Sequence, residues 1–95
     1  MNPKKVLVRI FGEIARIFGS THIIEIREHS SILSVIHKIQ RKVGSSATDR
    51  LGSLRIGSLD LTIMINGKNI DLINGVKTIV HDKDDIIIMP HVVGG

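Results

Sequence analysis

The side chains able to do chemistry are few, and their spacing suits none of the usual reactions. There are five histidines, His22, His29, His37, His81 and His91, and no cysteine. No two histidines have the spacing on one helix face that would hold a metal ion. They read as scattered surface imidazoles, with His91 placed to make a contact near the chain end. Lack of cysteine excludes a thiolate nucleophile, a disulfide framework and a zinc ribbon. Asp82, Asp84 and Asp85 resemble the opening of a calcium loop. The sixth position of such a loop would be Ile87, where glycine is needed, and the bidentate glutamate is missing. A polar turn is the better reading. Gly52 and Gly57 have the spacing of a phosphate loop, but Ser58 fills the lysine slot. No Ser-His-Asp ordering stands out. No catalytic side chain is assigned, and no metal site.

The end of the chain offers a different kind of chemistry, on the main chain. The sequence closes His91-Val92-Val93-Gly94-Gly95. At average glycine usage, two glycines end ~0.5% of chains by chance, so the doublet is suggestive and its position matters more. Glycine lets a backbone approach another surface without a Cβ in the way. It also leaves a terminal carboxylate unhindered for attack on a nucleotide phosphate. A resting carboxylate is a poor acyl donor and needs a leaving group such as AMP. The chain has no phosphate-binding motif, so a partner must bring the ATP chemistry. The competing reading is a frayed terminus without function.

The elements that would position that tail lie along the rest of the chain. Lys5–Phe11 alternates as a strand, with Val6, Val8 and Ile10 on one face and Leu7, Arg9 and Phe11 on the other. Gly12 to Gly19 is a short helical segment in which Ile14, Ile17 and Phe18 share a side. Thr21–Arg27 is a second strand. A long helix follows, capped by Ser30 or Ser31. Ile32, Val35, Ile36, Ile39 and Val43 form its apolar stripe, and Gly44 its stop. Ser45–Ser58 is a polar loop anchored by Leu51, Leu54 and Ile56. Leu61–Ile65 is a strand, Asn66-Gly67 a tight hairpin turn, and Lys68–Leu72 its short partner. Asn74-Gly75 marks another turn. The last strand, Asp85–Met89, is continuously apolar over Ile86–Met89. Either both its faces are expected to be covered, or at least the strand is central in the sheet. Pro90 then removes a ladder donor and releases five residues, which extended reach ~17 Å.

These elements predict an α+β domain: a mixed sheet of four to five strands with one long helix packed on one face, compatible with a β-grasp. Residues 1–90 form the domain and 91–95 a flexible tail. With 95 residues, one domain is the expectation. Phe11 and Phe18 are the only aromatics, so the core is aliphatic. No apolar run reaches the ~18 residues of a membrane span, and no signal peptide is evident. A cytoplasmic location follows as an expectation. The net charge is +4. The densest basic cluster, Lys38 with Gln40, Arg41 and Lys42, sits at a helix end, where positive charge suits the dipole. With almost no aromatics to stack on bases, nothing favours nucleic acid.

Several segments resemble the MoaD/ThiS family of ubiquitin-like sulfur carriers, most closely the molybdopterin synthase small subunit. Val6-Leu7-Val8-Arg9-Ile10-Phe11 resembles its first strand and Ile63-Met64-Ile65-Asn66-Gly67 its hairpin. Residues Thr78 to Ile86 resemble its approach to the last strand, and Met89-Pro90 through Gly94-Gly95 its ending. His91 stands where a second proline is common, and Lys83 where the turn has glycine. Ser45–Ser58 is longer than in compact members. The resemblance implies a β-grasp with the first and last strands parallel in the middle. It implies that an activating enzyme adenylates Gly95 and that a sulfurtransferase step makes a thiocarboxylate, with ATP used by that partner and no cofactor bound by this chain. In the molybdopterin branch the tail, Val92, Val93 and Gly94 leading to Gly95, enters the synthase large subunit and donates sulfur to a pterin precursor. An apolar sheet face including Phe11 and Met89, with His91, would dock partners. The alternatives are a protein modifier joined through Gly95 to lysines, sulfur delivery to tRNA or thiamin, and an interaction module with an idle tail.

Overall fold

The computed structural model describes residues 3–12, 14–43 and 61–90. Gly44, the loop Ser45–Ser58 and the tail from His91 to Gly95 lie outside the described residues, as do the side chains of Ile17 and Val43. Among the described residues, five strands and two α-helices follow in the order β1 (Lys4–Ile10), α1 (Ile14–Phe18), β2 (Thr21–Ile26), α2 (Ile32–Val43), β3 (Leu61–Ile65), β4 (Lys68–Asn69) and β5 (Asp85–Pro90). The sheet order is β2-β1-β5-β3-β4. β1 and β5 are parallel neighbours in the middle, while β2 and β3 pair antiparallel on either side of them. This is a β-grasp, as expected.

The alternation read in the sequence sorts the residues of each strand. Val6, Val8, Ile10, Ile24, Ile26, Ile63, Ile65, Ile86 and Ile88 are buried under α2, whose Ile32, Val35, Ile36 and Ile39 close the other side of the core. Ile14 and Phe18 of α1 seal one end. Ser31, not Ser30, caps α2: its Oγ accepts from Ser34 N at 3.2 Å, and Ser34 Oγ accepts from Ser31 N at 3.1 Å. Ser30 instead closes the preceding turn, its Oγ accepting from Arg27 N at 2.9 Å.

One expectation needs correction, and one pair of alternatives is decided. The partner of β3 is only Lys68–Asn69, not Lys68–Leu72, because Asn69 Oδ1 accepts from Asp71 N and turns Ile70–Leu72 into a 3-10 helix. Of the two alternatives for β5 the central placement holds: Ile86 and Ile88 are buried, while Ile87 and Met89 on the other face stay partly exposed. Two flanking strands shield them in part, and no layer among the described residues lies over them. Among the described residues no helix is long and apolar enough to cross a membrane.

Candidate functional site

β5 brings the chain to the sheet's end between two neighbours. Phe11 N donates to Ile88 O at 2.9 Å, and Pro90 lies opposite Leu61 of β3. By the same ladder, the donor that proline lacks would have met Phe11 O, so pairing with β1 stops there while β3 stays in register. Strand β5 therefore runs one residue further than expected, through Pro90. The exit is also held from the side. Gly12 turns with φ +80°, and a Cβ there would lie 2.5 Å from Pro90 Cγ and 2.8 Å from Cδ. Only glycine suits both the turn and the proline ring against it. Gly12 thus positions Pro90, a role the sequence reading missed. The available signal was a glycine placed directly after the first strand.

The sheet face away from α2 carries the two described docking candidates. The register that pairs Arg9 with Ile87 brings Phe11 level with Met89. Phe11 is 48% exposed, and Met89 is half-buried beside Thr62. Neither belongs to the core. Leu7 and Ile23, paired across β1 and β2, extend the face. In its middle the Arg9 guanidinium meets the Asp85 carboxylate with two donors, Nε at 3.3 Å from Oδ1 and the terminal nitrogen on Oδ2. Gly95, Gly94, Val93, Val92 and His91 lie outside the described residues, so the site is described up to Pro90.

The opposite end of β5 is anchored by the acidic turn. Asp82 Oδ1 accepts from Lys5 N at 2.8 Å. Asp84 accepts from His81 N at 2.7 Å and from Asn66 Nδ2 at 2.9 Å. Asp85 N in turn donates to Asn66 Oδ1 at 2.9 Å. The hairpin turn Asn66-Gly67, both with positive φ, is thereby clamped to the start of β5. Lys83 has φ 70°, the conformation glycine would take without strain. These carboxylates serve the turn.

The histidines require one correction. His29, His37 and His81 are exposed, but His22 is buried at 6% exposure. Its place on the core face of β2, next to Ile24 and Ile26, decides this. His22 Nε2–H donates to Phe18 O, closing the end of α1, and among the described residues its buried Nδ1 has no partner. The imidazole is a structural plug and not a surface ligand.

The family model of the ThiS family matches residues 8–95. No curated protein matches the sequence. Among solved structures, the chain is similar to small archaeal modifier protein 1 from Methanosarcina acetivorans, with 22% identity, 100% of each chain covered and a TM-score of 0.73. It is similar to a chain of the BexX/CysO complex of Amycolatopsis orientalis, with 21% identity, 95% of this chain and 99% of that one covered, and a TM-score of 0.71. It is also similar to a chain of the complex between subunits 1 and 2 of the molybdopterin-converting factor of Helicobacter pylori. There the identity is 23%, the coverage 96% of this chain and 99% of that one, and the TM-score 0.57.

Proposed function

From the premise that the chain belongs to the ThiS family, we propose that it is a sulfur carrier whose reactive group is the Gly95 carboxylate, acting as the small subunit in molybdopterin synthesis. One observation carries the reading: the family match runs through Gly95, while the sheet's central strand holds the chain firmly up to Pro90. A tail rooted in a central strand starts from a fixed point on the body. In the proposed cycle a carboxylate oxygen of Gly95 attacks the α-phosphorus of ATP in an activating enzyme, and pyrophosphate leaves. A sulfur nucleophile then attacks the acyl carbon and AMP leaves: hydrosulfide gives the thiocarboxylate directly, whereas a persulfide gives an acyl disulfide that a thiol cleaves to the thiocarboxylate, leaving as a disulfide with the donor. In the synthase large subunit that sulfur attacks a carbon of the pterin precursor and displaces an oxygen leaving group, and water then cleaves the resulting thioester, returning Gly95 to a carboxylate and leaving the sulfur on the pterin. Gly94 supplies clearance for a narrow channel, and Val92 and Val93 give apolar grip along it. Phe11 and Met89, with His91, would seat the body on each partner in turn. A partner that docks there covers apolar surface at about 25 cal/mol per Å². The choice of the molybdopterin branch is supported by the resemblance of the ending and by the likeness to the Helicobacter pylori complex.

Intact mass of the protein taken from its native cells tests this. The C-terminal peptide, cut to exclude Met89, is expected to carry one oxygen-to-sulfur exchange, and the large subunit is expected to co-purify. A Gly95 deletion should abolish loading. Larger conjugates, joined through Gly95 to lysines, would make the protein a modifier instead, since an amine can take the same acyl-adenylate. Full function in a variant extended past Gly95 by one bulky, uncleavable residue would refute both.

A further inference from the structure

The basic cluster at the end of α2 and the outer edge of β2 take no part in the carrier reading, and they adjoin each other. Ile10 N donates to Ser20 O at 2.9 Å. The hydrogen-bonded pairs that follow along the β1–β2 ladder are Val8 with His22, Val6 with Ile24 and Lys4 with Ile26. The N–H and C=O groups of Thr21, Ile23 and Glu25 therefore point away from β1, and β2 is the outermost strand. Lys38 reaches this edge: its Nζ donates to Glu25 O at 2.6 Å. That bond fixes which side of α2 overhangs the edge. Arg41 and Lys42, three and four residues further on, share that side and are exposed. Because α2 starts beyond the end of β2 and Lys38 stands level with Glu25, the next helical turn advances toward Ile23 and Thr21. Ile23 is 63% exposed, an apolar side chain at the rim of the open face.

We propose that the β2 edge accepts an extended segment of a partner protein in which apolar residues are flanked by acidic ones. Thr21 and Ile23 offer N–H and C=O groups to such a strand, and Glu25 its N–H. Ile23 packs against an apolar side chain of the segment, and Lys38, Arg41 and Lys42 meet its carboxylates. Charge argues against a second copy of this chain as the occupant. Two-fold pairing of β2 with β2 would bring both basic rows to one seam, in a chain whose net charge is already +4. The edge is separated from β5 by β1, so it can be occupied while the tail is engaged elsewhere.

The test is an amide-resolved NMR titration of the full chain with the synthetic peptide Asp-Asp-Val-Ile-Val-Asp-Glu, and with a version carrying lysine at each acidic position. The Thr21, Ile23 and Glu25 amides should shift and gain protection from solvent exchange, while His22 and Ile24, already bonded to β1, change less. Affinity should fall about tenfold in Arg41→Glu/Lys42→Glu, which leaves Lys38 in place, and should weaken with salt. Ile23→Pro removes an outward N–H but no bond to β1, and should abolish binding. If that variant does not fold, the charge-reversed one decides. Equal binding of the basic peptide, no alternation of the shifts, or unchanged affinity in the charge-reversed variant would overturn the proposal. So would self-association through β2 at the expense of peptide binding.

Discussion

A single position without a Cβ governs where the chain leaves the body. Gly12 is the residue whose Cβ would strike the Pro90 ring at 2.5 Å, on a backbone already at φ +80°. Gly12→Ala therefore combines left-handed strain with a steric clash, and should destabilise the fold by about 1–3 kcal/mol. Urea unfolding measures that loss. On the carrier reading, the rate of sulfur loading at Gly95 should fall further than the stability loss explains, because Pro90 must shift. A loading rate matching wild type at a temperature where the variant is fully folded would show that the exit tolerates movement. The Arg9–Asp85 pair is a contrast. Both side chains are about two-fifths exposed, so the pair adds little to stability, and its place in the open face matters more for what docks there.

At the scale of elements, α2 depends on its first turn as much as on its stripe. Ser31 and Ser34 satisfy each other's N–H groups, and Ile32 N donates to Thr78 O at 2.9 Å while Val80 N donates to Ser30 O at 2.8 Å. The helix start is thus stitched to the segment that leads into β5. Ser31→Ala should cost about 1 kcal/mol, read as a lower midpoint of urea unfolding with the slope unchanged. Ser30→Ala should instead loosen the turn after β2, since its hydroxyl serves Arg27 N. The sequence named both serines as candidates. Either could have capped a helix in isolation. Only the bridge between Ser31 and Ile79 settles which one lies in register.

For the molecule as a whole, the body and the tip carry separable duties. Ile86, 1% exposed in the central strand, contacts the core from its middle. Ile86→Ala should remove about 2–5 kcal/mol, visible as a large drop in thermal midpoint and, on the carrier reading, as loss of loading only where the chain unfolds. Gly95 deletion should leave the midpoint unchanged while abolishing loading. If deleting Gly95 lowered the midpoint as much as Ile86→Ala, the tail would be part of the core and not a reactive end. The sequence alone determined the strands, the long helix, the hairpin at Asn66-Gly67 and the sheet's central member. Those follow from periodicity, glycine chemistry and a run of β-branched residues, all of which are local. It also singled out the diglycine and, through resemblance, the family. Tertiary structure decided what depends on neighbours distant in the chain. His22 shares the core face of β2 with Ile24 and Ile26, and what lets an imidazole sit there is the Phe18 carbonyl of α1, which accepts from its Nε2. The second strand of the hairpin stops at Asn69 because a side-chain oxygen captures the next free N–H. Gly12 matters through Pro90, far along the chain. The pairing of Lys38 with the Glu25 carbonyl, which gives the basic cluster a surface to act on, exists only once a helix has been laid across the sheet.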